Sequence, residues 1–320
     1  MGNAYLLSLC IPTDGISDWV FPVLDSIYSQ KVDERIFEVV VSDNGNDSDF
    51  KSMMEEYGKN HSNLVYVKTD AVMFHNQIEA LKAGSGEYLQ FVNHRFALSN
   101  GGLEYLLEFV RKNRDTMPVA YFSLGKLGTW NGAKEFDSFD KFVYCLGNMV
   151  SWTSGVGVWK KKFEKIPACA KVDDISPHSH ILFCDRNNAR YIVDNTILAH
   201  EIDLDQTRKG KYDLFKAFAV DEVTIALNLY ADGSISADTL KKVRLGYRNY
   251  VSECYFHFIL RKKPCSYDIS GFEDAMGIIF SKWEIFLGVV PIAVGKAYRK
   301  SKRILGNLIK TNIKVKNDNI

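Results

Sequence analysis

Two hydrophobic patterns alternate along roughly the first 125 residues of the chain. Short runs of bulky and β-branched residues predict strands, and the clearest is 37–41, Phe-Glu-Val-Val-Val, which suits a strand buried on both faces. Between these runs, apolar residues recur at helical spacing. The predicted strands cover 5–11, 37–41, 64–67, 88–92 and 119–124, and the predicted helices cover 19–28, 50–57, 74–83 and 99–110.

Alternating strands and helices predict an α/β fold with a mostly parallel sheet and right-handed crossovers. Such sheets bind ligands at the carboxyl ends of their strands. Asp43 and Asn44 end the strand at 37–41, so Asp43 is placed to accept a hydrogen bond from a base or a ribose hydroxyl. The alternative is an acidic cap for the next helix. The chain has no GxGxxG after its first strand and no GxxxxGK[ST], which disfavours a Rossmann dinucleotide site and a P-loop.

The regular alternation ends near residue 125. Glycine-rich residues 125–134 predict a loop with Trp130 at its tip, and 190–200 predict a further strand. Apolar positions in 212–230 and 238–260 then predict two amphipathic helices. The second half therefore adds a less regular part and a helical part to the sheet of the first half.

Composition narrows the class of protein. A chain of 320 residues with 46% hydrophobic positions has ample material for a core. Lys and Arg number 40 against 39 Asp and Glu, so no overall positive field indicates a nucleic-acid partner. Six scattered cysteines without a CxxC pair predict reduced thiols in a cytoplasmic protein. The start of the chain lacks a signal-peptide pattern, and no run approaches the ~20 apolar residues of a membrane-spanning helix.

The C-terminal segment departs from this balance. Residues 296–316 contain eight basic residues and no acidic one, and an apolar stretch at 283–290 precedes them. This combination predicts a helix lying in a membrane interface beside anionic lipid, and hence peripheral contact with the inner face of a membrane. The alternative is a helix packed on the protein with a basic tail.

Three segments of the first half resemble glycosyltransferase family 2 proteins of the GT-A fold, particularly bacterial enzymes that build capsule or O-antigen polysaccharide. LSLCIPT followed by LDSIYSQ resembles the family's opening strand and first helix. FEVVVSDNGNDSD resembles its second strand with the nucleotide-contacting aspartate, and FHNQIEALKAGSGEYLQFV the helix and strand that lead into its DxD motif. The likeness covers about residues 5–125, and a weaker likeness extends to about residue 200.

The resemblance implies a GT-A nucleotide-sugar-binding and catalytic domain at 1–205, followed by a helical C-terminal region at 206–320. It also implies inverting transfer of a sugar from a nucleoside diphosphate to a saccharide or polyprenyl-linked acceptor, with a UDP-sugar as the first expectation for the donor. It implies that Pro12 and Thr13 line the nucleotide pocket and that Asp43 binds the base or the ribose. The full set of residues that we predict at the donor is Pro12, Thr13, Asp14, Asp43, Asn44, Asn76, Asn93, His94 and Arg95.

Two departures from the family pattern bear on the chemistry. Asp14-Gly15 stands where many members have Tyr-Asn, so the role of Asp14 is open. Asn93-His94-Arg95 stands where the family has metal-binding aspartates. This replacement removes the oxygen ligands that Mg²⁺ or Mn²⁺ needs and reverses the local charge.

We therefore predict that His94 and Arg95 clamp the diphosphate by charge-assisted hydrogen bonds and that no metal cofactor is needed. One alternative is that Mg²⁺ or Mn²⁺ binds through Asn93 and another acid. A second is a catalytically silent homologue that serves as a binding or scaffold partner of an active glycosyltransferase.

Inverting transfer also needs a group that takes the proton of the acceptor hydroxyl. In the family this base lies in the less regular half, where VDDISPHSH offers Asp174 as first choice, Asp173 as second and His178 as a further candidate. The alternative is a solvated acidic loop. Trp130 and Trp152 are candidates for stacking on acceptor sugar rings, with core packing as the alternative for Trp152. His75 carries no signal.

Overall fold

The computed structural model describes residues 5–166, 174–202 and 210–296. The chain divides into two compact units, one comprising Met1–Leu204 and Asn228–Lys242, the other Asp205–Leu227 and Val243–Ile320. The roles assigned from the sequence to 1–205 and 206–320 stay predictions.

All ten described strands belong to the first unit. They are β1 (Leu7–Thr13), β2 (Phe37–Asp43), β3 (Leu64–Lys68), β4 (Tyr88–Phe91), β5 (Phe96–Leu98), β6 (Val119–Phe122), β7 (Ala133–Phe136), β8 (Gly157–Trp159), β9 (Tyr191–Asp194) and β10 (Ala199–Glu201). The described helices are α1 (Ser17–Tyr28), α2 (Ser48–Gly58), α3 (Asn76–Ala83), α4 (Gly102–Asn113), α5 (Phe139–Leu146), α6 (Lys160–Phe163), α7 (Pro177–Leu182), α8 (Leu214–Lys216), α9 (Glu222–Ala231), α10 (Ala237–Cys254), α11 (Phe272–Ala275) and α12 (282–296).

The main sheet has the strand order β3-β2-β1-β4-β8. Its first four strands are parallel, and β8 runs antiparallel to β4. Every residue of β2 is buried, as expected for a strand covered on both faces. The five strands predicted in the first half are all present, and the apolar face of α1 packs into the same core.

The second half of the first unit extends this sheet. A bridge between Tyr121 and Val156 is antiparallel, and Val156 directly precedes β8. Since β8 is antiparallel to β4, β6 runs parallel to β4, and β9 is parallel to β6. The carboxyl ends of β1, β2, β4, β6 and β9 therefore point to the same edge.

Several expected boundaries are corrected. The strand predicted over 190–200 is broken into β9 and β10, and β10 pairs with the unpredicted β5 in a separate antiparallel ribbon. The helix expected from Ser99 begins at Gly102, and the Ser99 carbonyl accepts the Gly102 N–H at 2.8 Å. β5 and β10 have three residues each, which is too few to show a periodic pattern in the sequence.

The second unit is helical. Tyr247 on α10 donates a hydrogen bond to Glu222 at 2.9 Å, and Arg244 donates to Glu284 at 2.7 Å. Ile285 and Val289 form the buried side of α12. Within the part of the chain that the structure describes, no helix is both long and apolar enough to cross a bilayer.

Candidate functional site

The candidate site lies where the strand order reverses. β1 has β2 on one side and β4 on the other, although β2 and β3 both come before β4 in the sequence. Open α/β sheets bind ligands in the crevice at this switch point, outside the carboxyl ends of the strands. Thr13 ends β1, Asp43 ends β2, and Asn93-His94-Arg95 follow β4.

Asn76 braces this edge from the first turn of α3. Its Nδ2 donates to the carbonyl oxygens of Thr13 at 3.1 Å and Ser42 at 2.7 Å, and its Oδ1 accepts from the Ser42 hydroxyl at 2.6 Å. The side chain is buried, so its visible function is to hold the ends of β1 and β2 together. Its predicted contact with the donor stays a prediction.

Asp43 is fully buried and bonded within the protein. One carboxylate oxygen accepts the Gly45 N–H at 2.7 Å, and the other accepts the Tyr66 hydroxyl at 2.8 Å and lies 3.3 Å from Lys68 Nζ. Burial, and then this hydrogen bond, raise the pKa of Tyr66, which therefore stays a donor. Both carboxylate oxygens of Asp43 are thus already bonded within the protein.

The turns that follow β1 and β2 pack closely over Asp43. A methyl group at Gly45 would collide with the carbonyl oxygen of Asp14, so this position requires glycine. Asn44 donates to the carbonyl oxygens of Ala71 at 2.8 Å and Met73 at 3.2 Å. Asn44 thus holds the loop before α3, whereas Asp14 is exposed and Pro12 is half-buried. Nothing in these contacts tests the donor roles predicted for Pro12, Asp14 and Asn44.

Arg95 presents an unsatisfied donor at this edge. Its guanidinium carbon lies 5.4 Å from the centre of the Trp19 ring, and its Nε is 3.5 Å from the Asn93 side-chain oxygen. Its Nη1 is buried without a hydrogen-bond partner. Among the described ranges, no carboxylate lies within ion-pair distance of Arg95. A buried guanidinium nitrogen left unsatisfied is costly, and an incoming anion is the partner that suits it.

His94 is neutral in this structure. Its side chain is only 16% exposed, and its ring packs edge-on against Trp19 at 4.9 Å. Burial, with a smaller contribution from the charge of Arg95, lowers the pKa of His94 to about 3. The sequence-based expectation of a protonated His94 is therefore corrected: Arg95 alone supplies the positive charge of this pair.

The contacts of His94 still leave it able to donate a hydrogen bond. The Thr13 hydroxyl oxygen accepts the Gly15 N–H at 3.1 Å and lies 2.9 Å from His94 Nδ1. A hydroxyl group has one hydrogen and two lone pairs, so Thr13 can accept from Gly15 and also donate its own hydrogen to Nδ1. In that arrangement the imidazole proton is on Nε2.

The residues at the end of β4 do not fit a divalent cation. The Asn93 side-chain oxygen already accepts the Arg95 backbone N–H at 3.0 Å, and the Arg95 guanidinium beside it would repel a metal. His94 Nδ1 is occupied by Thr13. Over 5–166, 174–202 and 210–296, no cluster of three or more His, Cys, Asp or Glu side chains is arranged to bind a metal.

Of the three candidate bases, Asp174 contacts a residue to which the sequence analysis assigned no role, His75. Its Oδ1 lies 2.7 Å from His75 Nε2, although the two residues are 99 positions apart. His178 is buried, with its Nδ1 3.1 Å from Gln77 Oε1, so an acceptor hydroxyl could not reach it without movement. Asp173 lies outside the described residues. The assignment of the base among these three stays a prediction.

The two candidate sugar-stacking residues differ in their surroundings. Trp152 packs edge-on against Phe96 at 5.4 Å beside the main core, which favours a packing role. Trp130 lies in the loop after β6, with Lys134 Nζ 4.5 Å from its ring centre. Asn195 holds this loop by donating to the carbonyl oxygens of Leu127, at 2.7 Å, and Trp130.

The sequence reasoning missed His75 and Asn195. Both act through contacts with residues remote in the chain. His75 lies in the segment FHNQIEALKAGSGEYLQFV, but its spacing there does not distinguish it from its neighbours. The one available signal was their position at the carboxyl ends of strands or in the turn that follows.

Comparisons with known proteins address the fold. No protein-family model matches the chain, and no curated protein sequence matches it. TarS 1–349 of S. aureus in complex with UDP-GlcNAc is similar over 89% of this chain and 81% of that one, with a TM-score of 0.57 and 14% identity. The mannosyltransferase PcManGT of Pyrobaculum calidifontis in complex with GDP-Man and Mn²⁺ is similar over 95% and 84%, with a TM-score of 0.52 and 17% identity. At such identities the likeness shows the fold, and it confirms the prediction: the chain has the GT-A fold of glycosyltransferases.

Proposed function

We propose that the protein is an inverting glycosyltransferase that uses a nucleoside-diphosphate sugar, with a UDP-sugar as the first expectation. The acceptor is a saccharide or a lipid-linked saccharide of surface-polysaccharide synthesis. The reaction proceeds without a divalent metal. The observation that carries the proposal is the buried, unpartnered Nη1 of Arg95 at the carboxyl end of β4 in a GT-A fold.

The reaction requires three events at this edge. The acceptor oxygen attacks the anomeric carbon from the face opposite the diphosphate, and the bond between that carbon and the diphosphate oxygen breaks. The diphosphate leaves with the bonding electron pair, and the acceptor proton passes to Asp174. Configuration at the anomeric carbon is therefore inverted.

Arg95 and His94 suit the negative charge that develops on the leaving diphosphate. Arg95 supplies a fixed positive charge, oriented by Trp19 and Asn93. His94 supplies a neutral N–H donor, oriented by Thr13. Donors fixed before the reaction stabilise charge in the transition state without reorganising.

The first test is the metal requirement. We expect turnover of the preferred donor in excess EDTA to stay within about two-fold of its value with Mn²⁺, because Arg95 and His94 would stabilise the leaving diphosphate in place of a metal. Release of the nucleotide, which is CMP for a CMP-sugar and a nucleoside diphosphate for the UDP-, GDP- and dTDP-sugars, should be followed directly by chromatography, since coupling enzymes can need metals themselves. The protein without acceptor is the control for donor hydrolysis.

Two outcomes contradict the proposal in different ways. Complete loss of turnover in EDTA, restored by Mn²⁺, would overturn metal independence while leaving the transferase function intact. Binding of a nucleotide sugar with neither transfer nor hydrolysis would instead support the catalytically silent alternative.

We also propose that the second unit contacts an anionic membrane surface. One side of α12 carries large exposed apolar side chains, with Trp283 73% and Leu287 63% exposed. Phe286, Val290 and Val294 continue this stripe at helical spacing. The sequence that follows is rich in Lys and Arg. The apolar side chains of α12 can therefore insert into the interface, and the basic residues can attract anionic headgroups.

Vesicle binding tests this contact. We expect the double variant Trp283→Glu and Leu287→Glu to bind phosphatidylglycerol-containing vesicles at least about ten-fold more weakly, because two apolar side chains no longer enter the interface. Ile197→Glu, at an exposed apolar residue of the first unit, is the matched control and should bind as the wild type does. Equal sedimentation of wild type and double variant, or equal binding to pure phosphatidylcholine, would reject the contact.

A further inference from the structure

His75 and Asp174 form a contact that crosses the candidate site. His75 ends the short 3-10 turn Met73–His75, immediately before Asn76, which is anchored to the ends of β1 and β2. The carbonyl oxygen of Met73 accepts a hydrogen bond from Asn44. The His75 backbone is therefore held on both sides at the carboxyl edge of the sheet.

Asp174 approaches from the other half of the first unit. It lies shortly before α7, and α7 is itself tied to α3 by the contact between His178 and Gln77. The Asp174 side chain is 81% exposed and the His75 side chain 38% exposed. The carboxylate thus faces solvent at the site, with one oxygen held by an imidazole.

We propose that His75 is a positioning residue for Asp174 and that it holds Oδ1 so that Oδ2 is free for the acceptor hydroxyl. This inference rests on the proposed function. His75 donates its Nε2 hydrogen to Oδ1, and the carboxylate stays a proton acceptor. The acceptor proton moves to Oδ2, and His75 keeps its own proton throughout.

Asp174 needs a positioning residue because its side chain is exposed to solvent. An aspartate in solvent samples several rotamers, whereas a base must lie within hydrogen-bond reach of the hydroxyl at the moment of attack. Misplacing a reacting group by about 1 Å can cost on the order of 100-fold in rate. An ordinary exposed ion pair, by contrast, contributes little to the stability of a protein.

The experiment compares four single variants and one double variant. His75→Ala removes the contact, and His75→Gln keeps a side-chain N–H near the position of Nε2. Asp174→Asn removes the base, alone and together with His75→Ala. His61→Ala is the matched control, because His61 makes a similar 2.8 Å contact with Glu34 but lies before β3, at the amino edge of the sheet.

We expect His75→Ala to lower kcat by about 10- to 100-fold with the donor KM unchanged, and His75→Gln to recover most of the loss. Added to Asp174→Asn, His75→Ala should change kcat by less than about two-fold, since a positioning residue has no effect once its partner is gone. His61→Ala should leave kcat unchanged. Independent losses at His75 and Asp174, or a rise in donor KM as the main effect, would overturn the inference.

Hydrogen exchange separates failure of this inference from failure of the proposed function. Amide exchange in a peptide spanning residues 174–182 should be faster in His75→Ala and unchanged in His75→Gln. This readout needs no substrate. Unchanged exchange in His75→Ala rejects the contact, whereas a wild-type protein that turns over no nucleotide sugar rejects the proposed function and, with it, the catalytic role of His75.

Discussion

Arg95→Ala is expected to lower kcat for sugar transfer by about 10²- to 10³-fold, the size of effect seen when one fixed donor to a developing negative charge is removed. The guanidinium is the only charged group of the Asn93-His94-Arg95 sequence, because His94 is neutral. Its unpartnered Nη1 is also the donor that a phosphate oxygen would satisfy. Initial-rate kinetics with the preferred donor, in EDTA and in Mn²⁺, provide the measurement.

Two companion variants sharpen this prediction. Arg95→Lys keeps the charge but loses the planar fork and the stacking on Trp19, so we expect only partial recovery. Arg111→Ala removes an arginine on α4 that pairs with Glu104 at the surface and should leave kcat unchanged. If Arg95→Ala retains wild-type kcat, Arg95 does not bind the phosphates at the end of β4. The proposal of a metal-free diphosphate site is then wrong.

Asp174→Asn is expected to lower kcat by about 10²- to 10⁴-fold, since an amide cannot accept the proton of the acceptor hydroxyl. Donor affinity, measured by calorimetry in the absence of acceptor, should stay at the wild-type value because the carboxylate acts on the other substrate. The amide preserves the size of the side chain, which limits structural effects of the change.

Asp173→Asn and Asp33→Asn are the companions of this variant. Asp33 is exposed and pairs with Arg35, so its substitution controls for loss of a surface carboxylate and should be silent. A larger loss with Asp173→Asn than with Asp174→Asn would transfer the role of base to Asp173. Full activity in both would remove the two aspartates of the VDDISPHSH segment from the mechanism.

The fold of the first half was predictable because its elements are long and strongly patterned. β2 is buried along its whole length and carries four bulky apolar residues, and α1 shows a clear buried face, so local sequence and tertiary environment agree. The second half was harder to predict. β5 and β10 have three residues each and exist only because they pair with each other across a long stretch of chain.

The candidate site was only partly predictable. The sequence placed Thr13, Asp43 and Arg95 at strand ends, and the structure brings those ends to one edge. The sequence did not reveal that Asp43 is buried and accepts a hydrogen bond from the Gly45 N–H. Nor did it reveal that burial lowers the pKa of His94. Burial and charge at these positions depend on neighbours that local patterns do not specify.

By itself, the sequence determined the alternation of strands and helices, and hence the α/β fold, because hydrophobic periodicity is a local property of the chain. It also determined that an amide, an imidazole and a guanidinium, and no carboxylate, follow β4 at residues 93–95. Only the tertiary structure decided which of these groups is charged, which donor is left unsatisfied and which histidine contacts Asp174. Those properties arise from desolvation and from contacts between residues far apart in the chain, and no spacing along the sequence records them.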